Sequence, residues 1–199
     1  WNDLSVFGTP TGMVDRKVFQ NALITSHSSW VSRIESQTNE SYFAQLKADN
    51  ITFDATSRLL TFDANVVFDE LPSSSPFRLS AIMLEDSVSG VRQHNYYNEV
   101  AGHPHEGLGD IIWDYTHRNV TRSILEDTWG TADVVPDVPV LGENYTHNYS
   151  YTIPAEYDAS KMSIILVLAQ YDDDNVLNRE VINSSKTDLS DVEGLISSN

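Results

Sequence analysis

The chain contains no cysteine among its 199 residues, and this absence excludes disulfides, thiolate zinc sites, iron–sulfur clusters and a cysteine nucleophile within the sequence. Basic residues are also scarce, since 12 Lys and Arg stand against 29 Asp and Glu and give a formal net charge of -17. Nucleic-acid-binding proteins gain affinity by neutralising phosphates with Lys and Arg. We therefore expect no nucleic-acid partner for this acidic chain.

Long hydrophobic runs are missing as well. The longest apolar run covers residues 164–169, whereas a helix needs roughly 20 apolar residues to cross a bilayer. The first residues lack the charged-then-apolar order of a signal peptide, so we expect neither a transmembrane segment nor an export signal in this sequence. With 40% hydrophobic and 10% aromatic residues, the chain has the composition of a folded protein. Its length suits one full core, or one core plus a fragment of another.

From residue 42 onward the apolar pattern has a period of two, which is typical of strands with one face on a core. The clearest example is a set of alternating apolar residues, namely Leu60, Phe62, Ala64, Val66 and Phe68. The polar residues 54–57 separate this set from residues 44–53 and suit a turn. The pattern therefore predicts a long antiparallel hairpin.

Further strands are predicted at residues 77–84, 91–97, 120–125, 145–153, 162–171 and 176–182. The strand at 145–153 is half-buried in this interpretation, because one face carries Tyr145, His147, Tyr149, Tyr151 and Ile153. Seven or eight strands, joined by turns and one long loop at 98–110, indicate two packed antiparallel sheets. The predicted fold is mainly β, an antiparallel β-sandwich.

The first 38 residues do not fit this sandwich. Residues 13–16 resemble a short strand, and residues 28–37 place Trp30, Val31 and Ile34 at helical spacing behind a serine suited to an N-cap. One strand and one helix cannot bury their own apolar surface. We expect this short α/β piece either to pack on the sandwich or to be the end of another domain.

Residues 6–12, followed by a strand and by a helix near Trp30, resemble the last third of a thioredoxin-like domain. In that family a cis proline followed by threonine leads into a strand and the final helix. Pro10 and Thr11 occupy the matching place, so the resemblance predicts a cis peptide bond before Pro10.

Four later stretches, at residues 77–86, 93–95, 114–122 and 128–130, resemble the C-terminal part of the outer membrane protein 28-related family of Bacteroidota. The second half of this pattern contains Tyr115, His117, Val120 and Arg122 at the family's spacing, followed by Trp129-Gly130. The resemblance covers roughly residues 6–182.

The resemblance implies a C-terminal remnant of a thioredoxin-like domain at 1–38 and a β-sandwich domain at 39–185, and we expect residues 186–199 to form a polar tail or linker. It also implies a cell-surface or outer-membrane location, as a lipoprotein or secreted protein. Our first hypothesis is a non-catalytic module whose partners are other surface proteins or a glycan. The alternative is an accessory thiol-disulfide protein whose Cys-x-x-Cys lies upstream of this chain.

Two loops carry side chains that can ligate metals. His103-Pro104-His105-Glu106 offers two imidazoles, and the run at 172–175 offers the carboxylates of Asp172 and Asp174, which suit calcium. Neither loop has a complete ligand set at a recognised spacing. We therefore expect a solvated loop, a plain hairpin turn and no cofactor, with calcium as the alternative.

The family-like stretch invites a catalytic interpretation, because His117 can move protons and Arg122 can hold a carboxylate. No serine or threonine has the sequence context of an activated nucleophile. We expect instead that Tyr115, His117 and Arg122 hold the long connection in place, through turn carbonyls and the acids Glu85 and Asp86.

Trp129 and Gly130 are expected to form a structural anchor. Gly130 is free to adopt positive φ beneath the large ring, and Trp129 is predicted to be buried beside Ile124 and Leu125.

A third functional hypothesis is a carbohydrate-binding sandwich that uses Tyr96, Tyr97 and Trp113. Six N-x-Ser/Thr triplets also occur, and they would matter in a eukaryotic secreted protein; they begin at Asn39, Asn50, Asn119, Asn144, Asn148 and Asn183.

Overall fold

The computed structural model describes residues 11–38, 40, 43–72, 76–190 and 192. In this part of the chain the elements are β1 (Thr11–Gly12), β2 (Thr25–Ser26), α1 (Trp30–Gln37), β3 (Ala44–Asp54), β4 (Leu59–Phe68), β5 (Phe77–Glu85), β6 (Gln93–His94), β7 (Ile111–Ile112), β8 (Val120–Ile124), β9 (Asn144–Thr152), β10 (Met162–Gln170) and β11 (Val181–Asp188). Two antiparallel sheets dominate, one in the order β3-β4-β9 and one in the order β11-β10-β5-β8.

The predicted hairpin is confirmed as β3 and β4, which pair antiparallel from Ala44 opposite Phe68 to Asp54 opposite Leu59. Its turn is closed by Asp54, whose Oδ1 accepts hydrogen bonds from the backbone N–H groups of Thr56 (2.8 Å) and Ser57 (2.9 Å). The five alternating apolar side chains of β4 are all 0% exposed. The period-two pattern therefore marks the face that lies in the core.

The two sheets face each other across this core. Across the core, the ring centroid of Phe68 in β4 lies 5.4 Å from that of Phe77 in β5. Within the three-stranded sheet, the Phe62 ring of β4 stacks on Tyr149 of β9 with 5.5 Å between ring centroids. The Tyr149 hydroxyl donates a 2.8 Å hydrogen bond to the Leu79 carbonyl, which joins the three-stranded sheet to the four-stranded sheet. The β-sandwich fold is thus confirmed, and burial raises the pKa of Tyr149 to about 12.

Two predicted strands differ in extent from the observed ones. Residues 91–97 contain only the two-residue strand β6, because Asn95 turns the chain into a loop. Residues 176–182 begin with a 3-10 helix (Val176–Asn178), capped by the Asn175 side chain, which accepts a 3.1 Å hydrogen bond from Leu177 N. Strand β11 starts after this helix and runs past the predicted sandwich boundary at 185, and the following Leu189 is 0% exposed in the core.

The front segment also differs from the prediction. The strand lies at β1, which pairs with β2, whereas residues 13–16 form a turn with φ of 50° at Asp15 and 48° at Arg16. Helix α1 is present, but its N-cap serine makes no side-chain capping bond. Val31 and Ile34 are 66% and 55% exposed, so their helical spacing does not produce a buried face among the described residues.

The front segment is attached to the start of β11. The backbone N–H of Val181 donates a 2.7 Å hydrogen bond to the Asp15 carbonyl, and Lys17 Nζ lies 3.5 Å from a Glu180 carboxylate oxygen. Pro10 lies outside the described residues. Its cis peptide bond and the thioredoxin-like character of this segment therefore stay predictions.

Candidate functional site

The connection between β5 and β8, residues 86–119, forms a hairpin arm rather than a free loop. Val88 and His117 exchange backbone hydrogen bonds of 2.9 and 2.8 Å, and further out β6 pairs with β7. The Asn95 N–H then donates a 2.8 Å bond to the Asp110 carbonyl. Because these pairs continue the antiparallel register of β5 and β8, the arm is an extension of the four-stranded sheet.

The tip of the arm is held by two asparagines. Asn95 is only 4% exposed, and its Nδ2 donates 2.9 Å hydrogen bonds to the carbonyls of His105 and Gly109. Asn98 accepts a 2.7 Å bond from the Gly109 N–H through its side-chain oxygen. The predicted solvated loop is thus a compact structure, since its side chains satisfy the backbone groups that a turn leaves unpaired.

His103 and His105 belong to a series of ring contacts along one side of the arm. The ring centroids are 4.0 Å apart for Tyr97 and His103, 5.2 Å for His103 and His105, 5.8 Å for His105 and Tyr115, and 4.8 Å for Tyr115 and His117. His103 Nδ1 also accepts a 3.1 Å hydrogen bond from the His105 backbone. These contacts make the two histidines part of the framework of the arm.

The other metal-ligand candidates, Asp172 and Asp174, lie in the β10–β11 connection. The Asp172 carboxylate accepts hydrogen bonds from Asp174 N (2.9 Å), Asn175 N (3.0 Å) and Asn178 Nδ2 (2.8 Å), and the bond from Asn178 contributes most to lowering the pKa of Asp172. Asp174 is exposed. The predicted plain hairpin turn is therefore an aspartate-capped turn that leads into a helix. Within the described ranges, no three His, Asp or Glu side chains come together as a metal site.

Exposed aromatic rings occupy another part of the arm. Tyr96 is 83% exposed and Trp113 is 69% exposed. The His94 ring stacks on Tyr96 with 4.3 Å between centroids and 27° between planes, and the Arg92 guanidinium lies 5.4 Å from the centroid of Trp113. Each exposed ring thus has a planar group of the protein beside it and a large area open to solvent.

Arg122 and Glu85 fix the base of the arm. Arg122 Nε donates a 2.7 Å hydrogen bond to Glu85, a carboxylate that is 5% exposed overall, and the guanidinium lies 4.2 Å from the Tyr157 ring centroid. The second oxygen of Glu85 accepts a 3.0 Å bond from Asp158 N. This ion pair joins β5, β8 and the β9–β10 connection at one point.

His117 and Asp86 complete the base of the arm in separate contacts. His117 Nε2 lies 3.0 Å from the Val91 carbonyl, whereas Asp86 pairs with Arg118 at 2.9 Å. The two residues therefore stabilise the arm independently, and Asp86 is held by Arg118, a residue that the sequence analysis did not single out.

Trp129 differs from its prediction, because it is half-buried and lies against cations. The Arg16 and Arg179 guanidinium carbons are 5.5 and 4.3 Å from its ring centroid. Ile124 is 41% exposed, and Leu125 points into the core at 5% exposure. Trp129 was predicted to be a buried anchor beside Ile124 and Leu125, whereas its ring is half-buried and contacts Arg16 and Arg179.

The contacts of Trp129 extend into a larger Arg–aromatic stack, formed by Arg16, Trp129, Arg179, Tyr171 and Arg78. Tyr171 has Arg179 at 4.4 Å and Arg78 at 4.2 Å from its centroid. Arg179 is 7% exposed, and Arg16 Nη1 is buried without a hydrogen-bond partner among the described residues. Burial, with the nearby charge of Arg179, lowers the pKa of Arg16. The stack links the front segment to three parts of the sandwich.

Gly130 permits the close approach of this connection to β5. Its φ is +100°, and a Cβ at this position would lie 2.7 Å from Ser80 Oγ and 3.0 Å from the Leu79 carbonyl carbon. Gly130 also lies next to Thr131, which exchanges backbone hydrogen bonds of 2.8 and 3.1 Å with Leu79. Only glycine satisfies both the conformation and the available space.

These features define a β-sandwich protein with a projecting, internally bonded arm. The sequence profile of the family described as Outer membrane protein Omp28 matches residues 2–186, and the chain belongs to that family. Membership identifies a protein of the outer membrane or cell surface. In the described residues, no helix is long and apolar enough to cross a membrane.

The chain is similar in fold to the solved structure of HBP35 of Porphyromonas gingivalis, with a TM-score of 0.68 and 19% sequence identity. The match covers 96% of this chain and 56% of that one, so this chain spans just over half of the longer protein. A domain of the outer membrane lipoprotein Omp28 from the same organism matches with a TM-score of 0.39 and 13% identity over 75% of this chain and 96% of the other. No curated protein matches.

Proposed function

We propose that this chain is a non-catalytic recognition module of the cell surface and that the arm, residues 86–119, is its binding element. The observation that carries this proposal is the combination of a bonded framework with highly exposed rings at Tyr96 and Trp113. Aromatic side chains are enriched at recognition surfaces and among the residues that contribute most to binding. The partners in this proposal are other surface or outer-membrane proteins, or glycans.

The polar residues of the arm and of its base support binding rather than catalysis. Arg122 is engaged by Glu85, and His117 by the Val91 carbonyl, so both side chains have structural partners. A catalytic acid or base needs a partner that activates it and access to a reacting atom. The exposed rings provide contact area and orientation, which are the requirements of recognition.

We further propose the division of the chain that the family resemblance implies. Residues 1–38 form the end of a preceding thioredoxin-like domain in a lipoprotein of the cell surface. The sandwich domain begins at residue 39 and extends past the expected boundary at 185 to Leu189, and the tail or linker begins only after it. The exposure of Val31 and Ile34 supports this division, since it leaves an apolar part of α1 available to a preceding domain.

The proposed function is tested by removing the arm. Val88 and His117 already exchange two backbone hydrogen bonds, so a short Gly-Asn turn in place of residues 89–116 keeps the register of β5 and β8. The probe is a preparation of outer-membrane vesicles from the bacterium that produces the protein. We expect labelled wild type to bind the vesicles and the shortened variant to bind at least about tenfold more weakly.

Circular dichroism and thermal melting establish whether the shortened variant keeps the sandwich. The double variant Tyr96→Ala/Trp113→Ala provides a second test that leaves the framework of the arm in place, and Val138→Ala is the control, since Val138 is 79% exposed and lies outside the arm. Equal vesicle binding by wild type and both arm variants would contradict the proposal.

A further inference from the structure

We propose that the arm binds neutral glycans, with the pyranose rings stacking on Trp113 and Tyr96. This inference rests on the proposed function and names the class of ligand. Sugar C–H groups carry slight positive charge, and the face of an aromatic ring is negative, so an exposed ring attracts the apolar face of a pyranose. Trp113 and Tyr96, at 69% and 83% exposure, are the most exposed aromatic side chains among the described residues.

The two rings belong to one surface, the aromatic row, which is formed by Trp113, Arg92, His94 and Tyr96. Arg92 and His94 are two residues apart in an extended segment and so project to the same side. Arg92 contacts Trp113, and His94 contacts Tyr96, which extends the row in both directions. Because the Arg92 and His94 side chains stand between the two rings, the row offers separate stacking positions to an oligosaccharide.

The contacts within the aromatic row fix the rings before a ligand arrives. His94 covers part of Tyr96 in a stacked arrangement at 4.3 Å, and Arg92 lies beside Trp113 at 5.4 Å. A ring that is already held loses less conformational entropy on binding. The exposed polar groups of Arg92, His94 and Asp114 lie beside the rings in the sequence and can bond sugar hydroxyls.

The charge of the arm determines which glycans fit. Residues 91–117 contain four carboxylates and one guanidinium, and the whole chain has a formal charge of -17. The carboxylates are Glu99, Glu106, Asp110 and Asp114. Sialylated and sulfated glycans are repelled by this field. The chemistry therefore favours uncharged oligosaccharides.

A proline-rich peptide is the main competing ligand, because such peptides also bind aromatic surfaces. Their receptors hold the peptide in a groove lined by the aromatic side chains. Tyr96 and Trp113 are too exposed to form the walls of such a groove. Open, separated ring faces match the flat face of a pyranose better than they match a peptide helix.

The experiment applies purified protein to a printed array of neutral, sialylated and sulfated oligosaccharides. The strongest neutral oligosaccharide is then titrated by calorimetry into wild type, Tyr96→Ala, Trp113→Ala and the control Val138→Ala. We expect binding to neutral glycans only, with an affinity about tenfold lower for each single ring variant and unchanged for the control. A proline-rich peptide is titrated in parallel.

Each other outcome contradicts the inference. Binding that prefers anionic glycans, or that is unchanged in both Tyr96→Ala and Trp113→Ala, excludes the aromatic row as a neutral glycan site. If no neutral glycan binds while vesicle binding still depends on the arm, the ligand class is wrong and the recognition function stands. If the proline-rich peptide binds and its binding requires Tyr96 and Trp113, the ligand class is likewise wrong and the recognition function stands. If vesicle binding does not depend on the arm, the recognition function itself fails.

Discussion

Replacing Trp129 with alanine removes the ring that lies between Arg16 and Arg179, whose guanidinium carbons are 5.5 and 4.3 Å from its centroid. The substitution therefore separates Arg16 from the rest of the Arg–aromatic stack. It also exposes Arg179, which is only 7% exposed in the intact protein. We expect the front segment and the β10–β11 connection to lose part of their attachment to the sandwich.

The magnitude follows from the contacts and the burial of the ring. Two cation–π contacts contribute about 1 kcal/mol each. Half of an indole side chain covers about 100 Å², which corresponds to roughly 2.5 kcal/mol of apolar burial. Because the guanidinium groups cover part of the same area, the two contributions overlap, and we expect a loss of about 3 kcal/mol in the free energy of unfolding. For a chain of this length, the melting temperature falls by roughly 6–12 °C.

Thermal melting and urea denaturation of wild type and Trp129→Ala measure this loss. Trp113→Ala is the matched control, since Trp113 is 69% exposed and its removal should change the free energy of unfolding by at most about 0.5 kcal/mol. Trp129→Phe keeps a smaller ring and should lie between wild type and Trp129→Ala. If Trp129→Ala and Trp113→Ala both have the melting temperature of wild type, the Arg–aromatic stack does not stabilise the fold.

Three further predictions concern the core and the base of the arm. Gly130→Ala should lower the free energy of unfolding by at least ~2 kcal/mol, because the new Cβ lies 2.7 Å from Ser80 Oγ at a φ of +100°; an unchanged urea midpoint would contradict this. Arg122→Met should cost about 3 kcal/mol by leaving Glu85 buried without its cation, and adding Glu85→Gln should restore part of the loss in the same urea titration. Burial raises the pKa of Tyr149 to about 12, so the native state favours the neutral hydroxyl and stability falls as pH rises from about 10 towards 12. Tyr149→Phe should show a smaller fall in stability over that range, and an identical pH profile would contradict the prediction.

Local sequence patterns predicted the strands that bury one face in the core. The alternation at 60–68 and at 145–153 is confirmed, because each strand has one side in the core. The strand predicted at residues 13–16 was wrong, because Asp15 and Arg16 adopt positive φ and form a turn. These four residues show no period-two alternation, and so short a stretch contains too little information to distinguish a strand from a turn.

The candidate site depended on contacts between residues that are distant in sequence. The composition of 98–110 suggested a solvated loop, but Asn95 hydrogen-bonds across it to His105 and Gly109. The Arg–aromatic stack likewise combines residues from four separate segments, so no local motif marks it. A period-two pattern links only Arg92 and His94, because the chain turns at Asn95, so the contact of His94 with Tyr96 in the aromatic row could not be predicted from the sequence.

The most direct test of the recognition function is amide hydrogen exchange of the intact chain with and without the outer-membrane vesicles. If the arm is the binding element, the amide exchange of residues 91–97 and 109–115 slows when vesicles are added. The amide exchange of α1 and of strands β3, β4 and β9 stays unchanged. Slower exchange in α1 or in the three-stranded sheet, with the arm unaffected, would contradict the account.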